Sequence, residues 1–320
     1  MLKEGYLCFH ARLISGTKSE EKVELKRMDT LDKQILYLSK RRTLYIGKLN
    51  GCLDFSKACS QVIISLDKPI NMIQKESGVI SSALTFLVPA GSSVTINSGD
   101  EPVAVITLDC LGGDLSVLLT GLIKAGQKSS GEGCYSDLDY QNELVALLTS
   151  IQVGKPSPTI VFKLLEEFIG SRRKGLFVDE PDLRIKKAVD FICSSDSGGV
   201  SIDEIAHHVC LSVPRLTQLF KQVTGSSVRR LRNWNRLYIA AKLYSKGVSL
   251  NDAAHSAGFA DYAHFSRTFK SIIGISPYAV LSEKNNMTIY TLSKRDLDRS
   301  TDSESELVRS SKSNALLVES

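Results

Sequence analysis

A pattern that occurs twice between Ser201 and Gly274 constrains this chain more than any other feature. It opens with Ser201-Ile202-Asp203-Glu204, a capping box. There a serine oxygen takes an orphan helix N–H and the glutamate reaches back to the serine N–H. Ile202, Ile205, Ala206 and Val209 follow at helical spacing. Cys210-Leu211 form a turn, and Ser212 caps a second helix whose first turn holds Pro214, where a missing N–H costs nothing. In that helix Leu216, Leu219, Phe220 and Val223 share one face, while Arg215, Thr217, Gln218, Lys221 and Gln222 share the other. Gly225 then ends it.

The pattern returns at Ser249-Leu250-Asn251-Asp252, with a turn at Gly258-Phe259, a cap at Asp261 and an end at Gly274. Phe265, Phe269 and Ile272 turn inward; Tyr262, Ala263, Ser266, Arg267 and Lys270 turn outward. Its first helix offers Ala253, Ala254 and Ala257, where bulkier core residues are expected. One long helix, Val228 to Lys246, joins the two units, and Asp182 to Ile192 forms a leading helix.

These are two helix-turn-helix units. Such a unit lays its second helix in the DNA major groove, and two of them on one rigid connector can read successive groove segments about 34 Å apart. The outward residues carry fitting chemistry. Arg267 can contact guanine bidentately, Gln218 adenine, and Thr217 and Ser266 either. Arg215, Lys221, Arg229, Arg230 and Lys270 suit phosphates, which position the protein without reading sequence. Charge points the same way. Residues 182–282 hold 13 basic and 7 acidic side chains, whereas residues 1–181 hold 21 of each and residues 283–320 hold 6 and 7. A localised excess of +6 gains by displacing counterions from a polyanion. A single helical hairpin with a polar face would be an ordinary solvated surface; two capped ones in tandem are not.

Three stretches make the resemblance specific: LSVPRLTQLFKQVTG, RLYIAAKLY and AAHSAGFADYAHFSRTFKSIIGISP. Residues 182–281 resemble the DNA-binding domain of the AraC/XylS family of bacterial transcription regulators. Position by position, the resemblance implies base readers at Pro214, Thr217 and Gln218 in the first unit. In the second it implies Tyr262, Ala263, Ser266 and Arg267, with Arg236 as a structural arginine on the connector. It further implies double-stranded DNA and RNA polymerase as partners, an activator role, and a cytoplasmic, nucleoid-associated bacterial protein. Pro214 has no N–H for a base edge, Ala253 replaces a larger aliphatic, and Ala279-Val280-Leu281 replaces a basic or aromatic end.

The first half reads differently. The first 30 residues are charged and mixed. Ile35 to Leu38, Leu44 to Ile46, Gln61 to Leu66, Leu84 to Val88, Ser93 to Ile96 and Val103 to Leu108 are strand-sized runs. Asn50-Gly51, Asp67-Lys68-Pro69, Pro89-Ala90-Gly91 and Ser98-Gly99-Asp100 supply turns between them. That rhythm points to a small antiparallel sandwich or barrel. Three amphipathic helices follow: one after Gly113, one after Ser136-Asp137 and one from Pro158 to Ile169. Their stripes can cover the strands or form the face of a homodimer. With Phe86-Leu87-Val88-Pro89-Ala90-Gly91 between strands, this half resembles the family's cupin-like sensor and dimerisation domain.

The fold class is therefore α+β. An N-terminal cupin-like antiparallel β-barrel with amphipathic helices (residues 1–170) precedes a linker (171–181). An all-α domain with two helix-turn-helix units joined by a long helix (182–283) follows, then a polar tail (284–320). In that tail only Met287 to Leu292 has much to bury, and disorder is expected.

No catalytic site is expected. The seven cysteines are odd in number with no CxxC spacing, which excludes a disulfide framework and a zinc cluster and leaves reduced thiols. His10 is the one histidine before residue 182, so no metal or cofactor is expected there. His207 and His208 are adjacent on one helix and cannot share a face. No apolar run approaches the roughly 18 residues of a membrane span, and the N-terminus does not read as a signal peptide. An apolar barrel could hold a small-molecule effector, of which the sequence names none. Two other classes stand beside the regulator. A DNA-targeted repair enzyme would need a metal-held cysteine cluster. An anti-activator that kept the fold without base reading would suit Pro214 and Ala263.

Overall fold

Runs such as Ile35-Leu36-Tyr37-Leu38 and Val62-Ile63-Ile64 are apolar on both sides of a pleat, so a strand built from them must be covered on both faces. The computed structural model meets that demand with a layer of sheet on each inner face and a layer of helices outside. It describes residues 34–49, 52–55, 59–109, 111, 113–124, 133–173, 181–195, 199–273, 276–277 and 288–292. The charged first 30 residues, the Asn50-Gly51 turn and the Ala279-Val280-Leu281 end lie outside the described residues.

The strands are β1 (Ile35–Leu38), β2 (Thr43–Lys48), β3 (Cys52–Phe55), β4 (Gln61–Ser65), β5 (Ile70–Gln74), β6 (Ile80–Ala83), β7 (Thr85–Val88), β8 (Val94–Asn97), β9 (Pro102–Thr107), β10 (Tyr135–Ser136) and β11 (Thr288–Thr291). One sheet of seven strands runs β10-β7-β4-β9-β2-β1-β11, and a second of four runs β3-β8-β5-β6. All the pairings are antiparallel except β1 with β11. Leu36, Tyr45, Ile63, Phe86 and Val105 of the large sheet pack against Ile70, Met72, Val94 and Ile96 of the small one. On the opposite face Ile35, Tyr37, Ile46, Ile64 and Ile106 lie under α1 (Asp114–Lys124), α2 (Gln141–Gly154) and α3 (Pro158–Arg172).

The barrel expected from the sequence does not close. Among the described residues no hydrogen-bonded pair joins the two sheets. The chain instead crosses repeatedly between the sheets, for example at Leu66–Pro69 and again at Leu84, where β6 ends and β7 begins. Ser65 N–H donates to Leu84 O and Leu66 N–H to Pro102 O, so the corner backbone remains satisfied. The expected strand signals fall on six of these elements; β3, β5, β6, β10 and β11 were not anticipated. Ser136-Asp137 does not open a helix either. Ser136 pairs with Phe86 in β10, Asp137 takes φ 51°, and α2 begins at Gln141.

Two expectations at domain boundaries also change. Ser171 and Arg172, assigned to the linker, finish α3, where the Arg172 guanidinium stacks on Phe168 at 3.7 Å and pairs with Glu143 at 2.8 Å. The tail expected to be disordered contributes β11, at Thr288–Thr291, to the large sheet.

The second half is helical: α4 (Leu183–Ser194), α5 (Ile202–His208), α6 (Val213–Thr224), α7 (Val228–Tyr244), α8 (Leu250–Ser256) and α9 (Tyr262–Ile273). It meets the first half along a charged seam. Arg41 pairs with Asp190 at 2.7 Å and with Asp109 at 3.5 Å, and Lys40 Nζ donates to Cys193 O. Beneath the seam, Arg42 Nε and Nη2 reach both Asp114 oxygens at 2.7 and 2.8 Å, and Asp114 also accepts the Asp109 N–H at 2.9 Å. Asp114 is 1% exposed. Removing one partner of a buried pair leaves the other charge uncompensated. Asp114→Ala is accordingly expected to lower the unfolding free energy by about 3–5 kcal/mol, measured by denaturant titration. A loss under about 1 kcal/mol, the scale of an exposed pair, would show the pair to be dispensable.

Candidate nucleic-acid interface

Each helix-turn-helix unit is built from its caps outward. In the first, Ser201 Oγ accepts the Glu204 N–H at 3.1 Å and Glu204 Oε2 accepts the Ser201 N–H at 2.6 Å, which completes the capping box. The bond from the Ser201 N–H to its charged form holds the Glu204 carboxyl below its ordinary range. Cys210 makes the turn at φ 54°, in the left-handed region. Ser212 caps α6, and Gly225 ends it at φ 68°. In the second unit Ser249 caps α8, Gly258 makes the turn at φ 85°, and Asp261 Oδ1 accepts the His264 N–H to start α9. The leading helix α4 is capped by Asp182, whose carboxyl a side-chain hydrogen bond from Arg184 draws down to about 2.

Two cores hold these units. Ile185, Val189 and Ile192 of α4 pack with Ile205, Leu216 and Phe220 around the first. Ala254, Ala257, Phe259, Phe265 and Phe269 build the second, on the same apolar cluster as Trp234, Leu237, Tyr238 and Ala240 of α7. The small residues of α8 thereby acquire a reason. Ala253, Ala254 and Ala257 are fully buried, so α8 lies close against α7 while aromatic side chains fill the remaining space. Phe259 and Phe265 meet edge to face at 5.4 Å.

α7 serves both cores: Val228 belongs to the first, and Trp234 through Ala241 to the second. Asn235 fastens it to the leading helix, since its Nδ2 donates to Ile192 O at 3.0 Å and Ser195 O at 3.1 Å. These carbonyls end α4 and have no partner within the helix. Arg236, singled out by resemblance, is half-buried on the same helix, its guanidinium pKa lowered by burial and by Arg232.

The outward sets separate cleanly. Pro214, Thr217 and Gln218 are exposed on α6 with Arg215 and Lys221 beside them. Tyr262, Ala263 and Arg267 are exposed on α9 with Lys270, and Ser266 is half-buried among them. Thr217 Oγ1 donates to Val213 O at 2.9 Å, and Arg215 Nη1 donates to Gln218 Oε1 at 3.1 Å. Arg229 is exposed at the start of α7, whereas Arg230 is half-buried and turned away from both outer faces.

Arg230 instead lines a cleft of about 190 Å³ between the two halves of the chain. Lys40, Arg41 and Asp109 come from the first half, and Thr224, Arg230 and Trp234 from the second. Cys59 lies on its wall, where burial pushes the thiol up to about 11. The Trp234 Nε1 is buried without a hydrogen-bond partner among the described residues. Sequence reasoning missed this set, because its members come from segments with no shared period; the chain's single tryptophan was the one available signal. Among the described residues no group of His, Cys, Asp and Glu could hold a metal ion, and no helix is long and apolar enough to cross a membrane.

Asn235→Ala removes both bonds that tie α7 to α4. It is expected to destabilise the chain by about 1–3 kcal/mol, followed by Trp234 fluorescence in denaturant. An unchanged midpoint would mean that the helix junction needs no such tie.

A family model for a helix-turn-helix domain matches residues 205–283. The arabinose operon regulatory protein of Escherichia coli is 34% identical over 130 residues, covering 39% of this chain and 44% of that protein. Its counterpart from Salmonella typhimurium is 32% identical over 170 residues, 51% of each. The chain thus spans about half the length of the curated relatives it matches. A crystal structure of ToxT from Vibrio cholerae aligns with a TM-score of 0.49 and 17% identity, over 74% of this chain and 97% of that one. Residues 205–283 thus form a helix-turn-helix domain, and over about half its length the chain is similar to the arabinose operon regulatory proteins.

Proposed function

We propose that this protein is a sequence-specific activator of transcription that lays α6 and α9 in two successive major-groove segments. One observation carries the reading: two helices of equal length, each capped and each polar outside, flank a single helix that is part of both their cores. Fixed in this way, they meet the helical repeat of DNA as one body. Thr217 and Gln218 read from α6; Tyr262, Ala263, Ser266 and Arg267 read from α9. Arg215, Lys221, Arg229 and Lys270 hold phosphates, with Arg230 the least accessible of that group.

The units differ in quality. Pro214 offers no donor, and Gln218 shares its amide oxygen with Arg215. Arg267 is exposed on a helix whose buried face is largely aromatic. The first unit is the anchor and the second the reader.

The first half takes the sensor and dimerisation role of a cupin-like domain. Val153 and Ile160, 56% and 51% exposed at neighbouring ends of α2 and α3, favour helix pairing with a second copy. The space between the sheets is filled with side chains, so a small effector is better matched to the interdomain cleft. There it would touch both halves and meet the unpartnered Trp234 Nε1. Work in the cytoplasm with RNA polymerase completes the reading.

Selection of duplexes from random DNA by the full chain tests it. Enrichment of one site is expected, and no enrichment at low salt would leave an interaction protein that keeps the fold without reading bases. On the selected site Arg267→Ala is expected to weaken binding by about 1–3 kcal/mol and relax preference at one base pair. Lys221→Ala should weaken all sequences alike and reduce the salt slope by about 1. If both variants acted alike in a titration across sequences and salt, the division into readers and positioners would be wrong.

A further inference from the structure

The strand Thr288–Thr291 follows the whole helix-turn-helix half in sequence, yet it joins the sheet of the first half. We infer that the outer edge of β1 is a strand-accepting surface whose occupant is segment 288–292 of the same chain, acting as a releasable clamp between the two halves.

The register is specific. Ile35 pairs with Thr288, Leu36 with Ile289, Tyr37 with Tyr290 and Leu38 with Thr291, all parallel. Two further bonds extend the ladder at its ends: Thr288 N–H to Gln34 O and Leu292 N–H to Leu38 O, both 2.9 Å. Side chains continue both faces of β1. Ile289 packs on the cluster that holds Leu36, and Tyr290 on the cluster that holds Tyr37. The Tyr37 and Tyr290 rings stack at 4.9 Å with 14° between their planes. A slip of one residue would exchange the two faces and put each side chain in the wrong core.

The segment also holds the DNA-binding half. Tyr238 of α7 donates from its hydroxyl to Leu292 O. α7 belongs to the cores of both helix-turn-helix units, so anything fastened to β1 and to Tyr238 sets how those units sit against the sheet. Lys40 lies over the Tyr238 ring at 5.9 Å, which places the fastening beside the charged seam.

Release is within reach of small perturbations. The strand is short and stands at the sheet edge, and Ile289 to Leu292 are only partly buried. Elements of that kind open well below the free energy of global unfolding. Thr288 follows Ile273 by 15 positions in the same chain, so closure is intramolecular and the local concentration high. β1 also pairs with β2 along its other edge, and that ladder does not run through β11.

Hydrogen exchange on the full chain, on a chain ending at Met287 and on the full-length Tyr290→Pro variant tests the proposal without DNA. The proline removes one ladder N–H and the ring stack together. Both altered chains are expected to exchange about ten-fold faster in β1 and around Tyr238, with β4 and β9 unchanged. A peptide of residues 287–293 added to the shortened chain should restore protection of β1. Unchanged exchange in β1 would overturn the proposal, and so would faster exchange throughout the sheet, which would make β11 part of the global core. Recovery of protection when shortened chains are mixed with full-length ones would mean exchange between copies and overturn the intramolecular assignment.

One further arm rests on the reading of the protein as a DNA-binding regulator. On a selected duplex, release should change affinity about 5-fold or more. Equal affinity would overturn control of DNA binding by the clamp, while failure to select any duplex would count against the DNA reading and leave the exchange result decisive.

Discussion

The arrangement of the helical half depends on one constraint: α7 is a single helix with two cores attached to it. A helix of its 17 residues is about 26 Å long. Val228 near its start is buried with the first unit, and Trp234 to Ala241 are buried with the second. Backbone hydrogen bonds along the helix make the separation of the two cores a property of covalent geometry. Loops alone would leave each unit free to tumble, and each groove contact would then bear the entropy of orienting its own unit. With α7 between them that ordering is completed during folding. Asn235 extends the constraint to the leading helix by covering carbonyls that α4 itself cannot satisfy.

The first half follows from a different demand. Strands apolar on both faces cannot sit at a surface, so the large sheet needs the small sheet inside and helices outside. The small sheet alternates instead. In β5, Ile70, Met72 and Gln74 are buried while Asn71 faces solvent. The two halves then meet through charge, with Arg41 between Asp109 and Asp190, and through one apolar cluster that runs from Leu36 and Ile96 of the sheets to Tyr238 and Phe265 of the helices. Of these two parts the Arg41–Asp190 pair is the more readily exchanged, because both side chains are exposed and water can replace either partner. The buried Arg42–Asp114 pair just below it belongs to the first half alone and has no such freedom.

How much of this could be read in advance depended on whether the governing interaction was local. The capping box at Ser201 and Glu204, the caps at Ser212 and Ser249 and the stop at Gly225 act within one helical turn, and all formed where the residues indicated. The outward faces of α6 and α9 followed from period alone. β3, β5 and β6 were missed because polar residues such as Asn71, Ser81 and Ser82 interrupt the apolar alternation of the small sheet. Ser136-Asp137 resembled a helix cap, but the competing bond from Asp137 N–H to Thr85 O placed it in a strand corner. The pairing of Tyr290 with Tyr37 joins opposite ends of the chain, and the cleft joins Cys59 to Trp234. No sequence period reports such encounters. They are settled by which surfaces remain open after the local elements have formed.

The same distinction separates the two units as DNA-binding surfaces. Both are equally well built, since caps and cores depend on buried and backbone groups. What they present differs. On α6 the proline at the first turn is good for the helix and useless to a base edge, so the position serves stability at the expense of recognition. Arg215 and Gln218, one turn apart, bond to each other, and under the proposed reading a base would have to compete with that bond for the Gln218 amide oxygen. On α9 the cap at Asp261 leaves Arg267 free of any such neighbour bond among the described hydrogen bonds, and Ser266 sits beside it. On the proposed reading, an asymmetric pair of this kind divides labour within one rigid body: one helix would fix where the protein lies on the duplex, and the other would decide which duplex it accepts.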